Sequence, residues 1–371
     1  METSTRFVVR PHRPEAPGTE VLVGPGTRGQ LARELALRFA GRPVAVVADR
    51  GVLVGWRGFV DGLAPFTVLE VPAGEPAKQP AVLVEVLRAL ARAELPRRGL
   101  VLAFGGGATG DLAGLAAALW HRGVELVQVP TSLLAMVDAA LGGKCAVNLP
   151  EGKNLAGVFW EARLVVVDPE LLATLPMLEF RAGLGEVAKY ALGFSTELLD
   201  LCERRHDLGP LSDPVDLAAI VARCLRIKAA IVEEDPLETR GRRALLNLGH
   251  TTAHALEAWA AAKGGTIPHG LAVAFGLRVA LHAARARGRV DDAAHERALM
   301  LCDSWRLPAG WAELAPGLPR PGVDDLVPLL RRDKKRDDDS LRVVLPKALG
   351  ACETDRLPTG QWAGWIGELL G

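Results

Sequence analysis

At 371 residues the chain exceeds what one hydrophobic core usually organises, and 49% apolar residues give it ample material to bury, so two globular domains are expected. Lys plus Arg and Asp plus Glu each number 44, and a net charge of zero excludes a global field for holding nucleic acid or an anionic membrane. Any anionic ligand must be gripped by a local cluster of bases.

Val44–Ala48, Leu100–Phe104, Val124–Val129 and Leu164–Asp168 are short β-branched runs that predict strands. Amphipathic stretches at 30–40 and 79–95 lie between them, which predicts an α/β, Rossmann-like domain with parallel pairing. After about Pro176 the β-rich runs nearly vanish. Ala/Leu/Arg patterns of helical period follow at 182–205, 215–234, 244–262, 270–287 and 291–303, predicting a mostly α-helical second domain. The expected division is residues 1–176 and 177–371, with an active site in the cleft between them.

The five cysteines, Cys145, Cys202, Cys224, Cys302 and Cys352, form no CxxC pair, and their odd number fits free thiols in a reducing compartment. The N-terminal segment METSTRFVVRPHRPEAPG lacks the apolar core of a signal peptide, and no later run of 18 uncharged apolar residues appears. A cytoplasmic protein is expected.

Gly105-Gly-Gly-Ala-Thr-Gly110 satisfies GxGxxG between a strand and the helical pattern Asp111–Trp120, a place where backbone amides can approach a pyrophosphate. A bare strand-to-helix turn satisfies the same pattern. Asp49, closing the strand at 44–48, stands where a doubly wound sheet presents ribose-binding acids, and is equally a common turn residue. Glu75 and Lys78 in Gly74-Glu-Pro-Ala-Lys78 either grip a ligand or cap a helix.

Arg243, Asn247, His250 and His254 recur at i, i+4, i+7 and i+11, which predicts one helical face. Their apolar neighbours Leu245, Leu246, Leu248, Ala253 and Leu256 turn that face toward a polar cavity, where buried Arg and His need an anion or a metal as partner. His250 and His254, one turn apart, invite a metal bound by both. The residue after His250 is Thr251, so the general-base Glu of an HExxH protease is missing. His269 opens a helical pattern from the rigid loop Ile267-Pro-His-Gly270, whereas His12, His121, His206, His282 and His295 read as surface positions. Glu186 and Lys189, at i and i+3, are either a surface ion pair or, given Leu184, Val187, Ala188 and Tyr190 around them, a buried one.

Taken together, Gly105–Gly114, Arg122-Gly, Val129–Asp138, Gly142-Gly-Lys144, Gly152-Lys-Asn154, Thr174-Leu-Pro176, Glu186-Val-Ala-Lys189, Lys228-Ala, Arg243–His250, Pro268-His-Gly270 and Asp333-Lys-Lys335 resemble the 3-dehydroquinate synthase family of sugar-phosphate cyclases. The resemblance runs from about Asp49 to Ala348. It implies that Glu186, His250 and His269 bind a divalent metal, zinc or cobalt, and that His254 contacts substrate instead. It assigns Asp49, Glu75, Lys78, Gly106, Gly107, Asp111, Thr131, Ser132 and Thr174 to NAD, together with Asp138, Lys144 and Lys153. Those last three also line the implied substrate pocket with Asn154, Lys189, Lys228, Arg243, Asn247, His254 and one of Lys334 or Lys335. Arg122 corresponds to an arginine that reaches a neighbouring subunit's phosphate site, so the resemblance implies a homodimer. Read as plain chemistry, it is also a surface turn with a solvated charge.

The implied substrate is 3-deoxy-arabino-heptulosonate 7-phosphate, whose carboxylate and phosphate need several cations in a confined space. In the implied reaction NAD is recycled within each turnover: an alcohol is oxidised, phosphate is eliminated, the hydride returns and an aldol closure makes the ring. Lys228, Arg243, Asn247 and His254, with Gly142-Gly-Lys144, favour a substrate that bears a carboxylate. The alternatives are a cyclase of secondary metabolism acting on sedoheptulose 7-phosphate, an amino analogue or glucose 6-phosphate, and a metal-dependent polyol dehydrogenase. The chain departs from the family at Cys145, where Thr is commoner, and at Pro236–Arg242, which is one residue longer than usual.

Overall fold

The computed structural model describes residues 4–11, 17–332 and 339–371. It forms two compact units, residues 1–176 with 210–237 and residues 177–209 with 238–371. The segment 210–237, expected in the second domain, packs with the first unit. Its helix Pro214–Glu234 lies against the strands Thr5–Val9 (β1) and Thr19–Val23 (β2) and against the π-helical turn Ala135–Ala139.

The first unit is built on a seven-stranded sheet. After β1 and β2 it contains β3 (Val44–Asp49), β4 (Thr67–Val71), β5 (Leu100–Gly105), β6 (Glu125–Pro130) and β9 (Leu164–Val167), in the order β1-β2-β9-β6-β5-β3-β4. Only the β1–β2 pairing is antiparallel. Every residue of β5 and of β9 is buried, which explains their uninterrupted apolar sequences: a parallel strand covered on both faces has no solvent side to alternate with. The register aligns Val46 with Leu102 and Leu102 with Val127.

β3 pairs with β4 on one side and with β5 on the other, so the chain reverses its direction of travel across the sheet between β3 and β5. Loops leaving the carboxyl ends of two such strands diverge and open a crevice. Asp49 and Gly105 end these two strands. A separate hairpin, β7 (Lys144–Leu149) with β8 (Gly152–Phe159), packs on the helix Gly107–Leu119.

The second unit is mostly helical, with Met177–Phe194, Thr196–Glu203, His250–Ala262, His269–Ala286, Asp292–Ser304, Val323–Arg332 and Thr359–Leu370 as its longer helices. It also holds the antiparallel hairpin β10 (Ser340–Ala348) and β11 (Ala351–Pro358), which the fading of β-rich runs after Pro176 did not announce. Among the described residues no helix is long and apolar enough to cross a membrane.

Two backbone contacts set the spacing of three of these helices. A Cβ on Gly185 would lie 1.9 Å from the Gly270 carbonyl oxygen, so Met177–Phe194 and His269–Ala286 touch backbone to backbone there. A Cβ on Gly276 would lie 2.0 Å from the Gly249 oxygen, which seats the start of His250–Ala262 on the same helix. Only glycine permits either approach.

Candidate active site

Each of those contacts adjoins a polar side chain. Glu186 follows Gly185, His269 precedes Gly270, and His250 follows Gly249. The three side chains therefore converge from three helices, with ligand atoms all within 4.8 Å of one another. His250 Nε2 and His269 Nε2 lie 3.7 and 3.5 Å from the same Glu186 oxygen, Oε1. One buried carboxylate and two imidazoles are the donor set of a catalytic zinc-type site that keeps a coordination position open.

The back of each ring is also held. His250 Nδ1 lies 3.2 Å from the Leu248 carbonyl oxygen, and His269 Nδ1 lies 3.2 Å from Glu257 Oε2. Burial pushes the His250 imidazole down to about 3, against the pull of Glu186. Burial acts the same way on His269, but the Glu186 and Glu257 carboxylates outweigh it and hold the ring up at about 10. Lys189, one turn beyond Glu186 and fully buried, places Nζ 2.6 Å from Glu186 Oε2, so the pair is internal and not the surface pair that the i, i+3 spacing also allowed. His254 is exposed, and its ring centroid stands 5.6 Å from that of His250 and 6.2 Å from that of His269.

The single helical face expected for Arg243, Asn247, His250 and His254 is not what forms. Arg243–Asn247 is a short 3-10 turn, Gly249 adopts φ +82°, and a new helix begins at His250. The spacing was regular, but the left-handed glycine breaks it. His250 and His254 do share a face, and the stripe continues forward to Glu257 at i+7, a residue the sequence reading did not single out. Arg243 is buried and Asn247 exposed.

In the first unit, the side chains at the carboxyl ends of the parallel strands form a second cluster. Asp49 caps the helix Arg50–Gly62: its Oδ1 accepts from the Gly51 and Val52 amides, and its Oδ2 from Gly74 N at 3.3 Å. Oδ2, with one donor, retains acceptor capacity. Gly106 and Gly107 open the helix Gly107–Leu119, and Thr131 N donates to the Gly105 carbonyl at 2.9 Å. Ser132 Oγ and the Ala139 methyl lie against the open sides of Gly106 and Gly107, where a Cβ would stand 3.4 and 3.1 Å from them.

Lys78, buried, donates to both Asp111 and Asn154. Burial raises the Asp111 carboxyl, and the Lys78 ammonium opposes the rise. Asn148 ties this group together, donating to Glu75 Oε2 and accepting from Asn154 N, both at 2.9 Å, while Asn154 holds φ +58°. Asn148 also escaped the sequence reading, since a lone Asn in a hairpin carries no pattern. Lys228 donates to the carbonyl and the carboxylate of Asp138.

Lys144 starts β7, Lys153 is exposed on β8, and Thr174 accepts from Trp56 Nε1 at 3.0 Å. Arg122 is exposed on a turn where it and His121 both take left-handed φ, +66° and +49°. Lys334 and Lys335, like His12, lie outside the described residues. Cys145 is buried against Gly114 and donates to the Trp160 carbonyl at 3.6 Å, with its thiol pushed up by burial, which is packing rather than chemistry.

Residues 68–182 match the model of the 3-dehydroquinate synthase N-terminal domain, and residues 183–336 match that of the C-terminal domain. A 3-dehydroquinate synthase from Synechocystis sp. is 39% identical over 345 residues, 91% of this chain and 92% of its own. One from Xanthomonas oryzae pv. oryzae is 41% identical over 344 residues, 90% of each chain. Among solved structures, the 2-epi-5-epi-valiolone synthase ValA from Streptomyces hygroscopicus subsp. jinggangensis 5008, with NAD+ and Zn2+ bound, is similar over 98% of this chain and 99% of its own, with a TM-score of 0.82 and 27% identity.

Proposed function

The chain belongs to the 3-dehydroquinate synthase family, and from that membership we propose that it converts 3-deoxy-D-arabino-heptulosonate 7-phosphate to 3-dehydroquinate and phosphate, a step of the shikimate pathway toward aromatic amino acids. The observation that carries this reading is the meeting of Glu186, His250 and His269 beside Lys189 and His254. The enzyme is a phosphate-eliminating carbon–oxygen lyase that uses NAD and a divalent metal, zinc or cobalt.

NAD and a divalent metal would supply, respectively, a hydride acceptor that can return the hydride within the turnover and a cation to polarise the substrate alcohol and acidify the neighbouring C–H. Glu186, His250 and His269 would hold the metal, with Nε2 of each ring facing Glu186. Asp49 is placed to meet ribose hydroxyls, and the amides at the start of Gly107–Leu119 to meet a pyrophosphate. Glu75, Lys78, Asp111, Thr131, Ser132 and Thr174 complete the NAD site. Arg243 offers a planar fork for the substrate carboxylate, and Lys144, Lys153, Lys189 and Lys228 are point charges for phosphate and hydroxyl oxygens. Asp138, Asn154 and Asn247 fix substrate orientation by hydrogen bonds. His254, exposed beside the metal ligands, carries protons to and from the substrate, a role open to an imidazole in that position. The protein acts in the cytoplasm as a homodimer, with Arg122 serving the partner's phosphate site. That assignment is supported by an exposed Arg on a turn held in left-handed backbone, a conformation that costs about 1–3 kcal/mol per residue and persists where something is gained by it.

The likeness to ValA, a 2-epi-5-epi-valiolone synthase, supports a second reading, another cyclase acting on a different sugar phosphate. The two separate when the protein is given heptulosonate phosphate or sedoheptulose 7-phosphate with substoichiometric NAD. Phosphate release and a ring product from the first compound alone support the proposal. Release from the second alone overturns it.

A further inference from the structure

Glu257 is a carboxylate with a feature that its place in the sequence does not explain. It lies on the helix His250–Ala262, two turns after His250, and is 8% exposed. A buried carboxylate loses much hydration and persists where hydrogen bonds replace the lost water. One partner is His269, whose Nδ1 lies 3.2 Å from Glu257 Oε2, while its Nε2 lies 3.5 Å from Glu186 Oε1. The His269 ring is therefore spanned by two carboxylates, one at each nitrogen.

Resting on the metal-centred reading above, we infer that Glu257 is a positioning residue. It accepts a hydrogen bond from Nδ1–H of His269, so that when a metal takes the place of the proton on Nε2 that nitrogen is already turned toward Glu186 and His250. A neutral imidazole carries one proton and one lone pair, and the acceptor behind the ring decides which nitrogen carries which. His250 receives the same treatment from a backbone oxygen, that of Leu248 at 3.2 Å from its Nδ1. The two ligands thus share one tautomer, set in one case by main chain and in the other by a side chain that mutation can remove. Glu257 adds a further link, since the helix that supplies His250 also supplies the acceptor behind His269. The carboxylate makes the imidazole more basic as well as orienting it, and loss of such a partner typically weakens metal binding about 10–100-fold.

The test measures Zn2+ and Co2+ affinity of the full-length wild-type, Glu257→Gln and Glu257→Ala proteins by competition with a chromogenic chelator. The Co2+ absorption spectrum and the Tm of each metal-free protein are recorded alongside. Glu257→Ala is expected to lose about 10–100-fold in affinity and to shift the Co2+ bands. Glu257→Gln, which keeps an acceptor oxygen without the charge, is expected to fall between Ala and wild type, with the metal-free Tm close to the wild-type value. Wild-type affinity and an unchanged Co2+ spectrum in both variants would overturn the inference. So would an affinity loss fully matched by a lowered metal-free Tm, the signature of a role in folding alone. Failure of the wild-type protein to take up one equivalent of metal would instead sink the reading on which the inference rests.

Discussion

Lys228 reaches Asp138 across ninety residues of sequence and donates to it twice, to the backbone oxygen at 2.6 Å and to the carboxylate. The contact joins the helix Pro214–Glu234 to the π-helical turn Ala135–Ala139, so an ion pair assigned to substrate chemistry also holds the first unit together. Removing the carboxylate takes one partner from a buried ammonium, which typically costs up to about 3–5 kcal/mol, whereas replacing both members costs far less. Asp138→Ala is expected to lower the stability of the protein by about 3 kcal/mol in denaturant titration. Asp138→Ala with Lys228→Met is expected to recover most of that loss while activity stays absent, separating the structural role of the pair from its chemical one.

The convergence of the metal ligands depends on backbone contact at Gly185 and Gly270, where a Cβ would stand 1.9 Å and 1.8 Å from the opposing carbonyl oxygens. No side-chain rotation relieves a clash with main chain, so the helices must part. Gly185→Ala is expected to cost about 1–3 kcal/mol or more, in line with other overpacked sites. It should also reduce bound metal sharply, as read by elemental analysis of the purified protein, although no ligand has been altered.

Removal of the metal should abolish turnover without unfolding the chain. The helices bearing Glu186, His250 and His269 carry their own apolar faces into the core, with Val187, Leu256 and Phe275 buried, so the fold does not hang on the ion. Dialysis against a chelator is expected to leave the far-ultraviolet circular dichroism spectrum unchanged and to eliminate phosphate release. Zn2+ or Co2+ should restore it.

The thiols give a pH-dependent expectation. Burial pushes Cys302 up to about 11 and Cys352 up to about 12 from an ordinary value of 9.0, and raises Cys145 further. A thiol freed by unfolding ionises near 9, so above that pH the unfolded chain loses protons that the folded one keeps. The thiols' contribution to stability is therefore intact at pH 7–8 and declines as the pH climbs through 9 toward 11. In the native protein at pH 8 these three cysteines are expected to react with a thiol-specific disulfide reagent only after denaturant is added. Rapid labelling of Cys145 in the native state would show that its burial is not what the packing against Gly114 indicates.

The parallel core was legible because its strands are apolar throughout: β3, β5, β6 and β9 fall on the β-branched runs seen in sequence, and Gly105 sits at the strand end that its motif required. The hairpins β7–β8 and β10–β11 were not, since β8 is largely exposed and β10 carries charged residues among apolar ones. The metal site was legible only in part. Its ligands come from three helices, and no local spacing reports that Glu186 meets His269 eighty-three positions later. The pattern 243–254 misled for a definite reason: Gly249 turns left-handed, so a 3.6-residue period counted across it joins two elements that share no axis. The same period counted forward from His250 arrives at Glu257.

The central claim is that the hydride is borrowed and returned, and it is tested most directly by following absorbance at 340 nm and phosphate release together, with heptulosonate phosphate in large excess over NAD. Many equivalents of phosphate and of ring product per NAD are expected, with no steady build-up of NADH. Accumulation of NADH in proportion to substrate consumed would contradict it and leave a simple dehydrogenase.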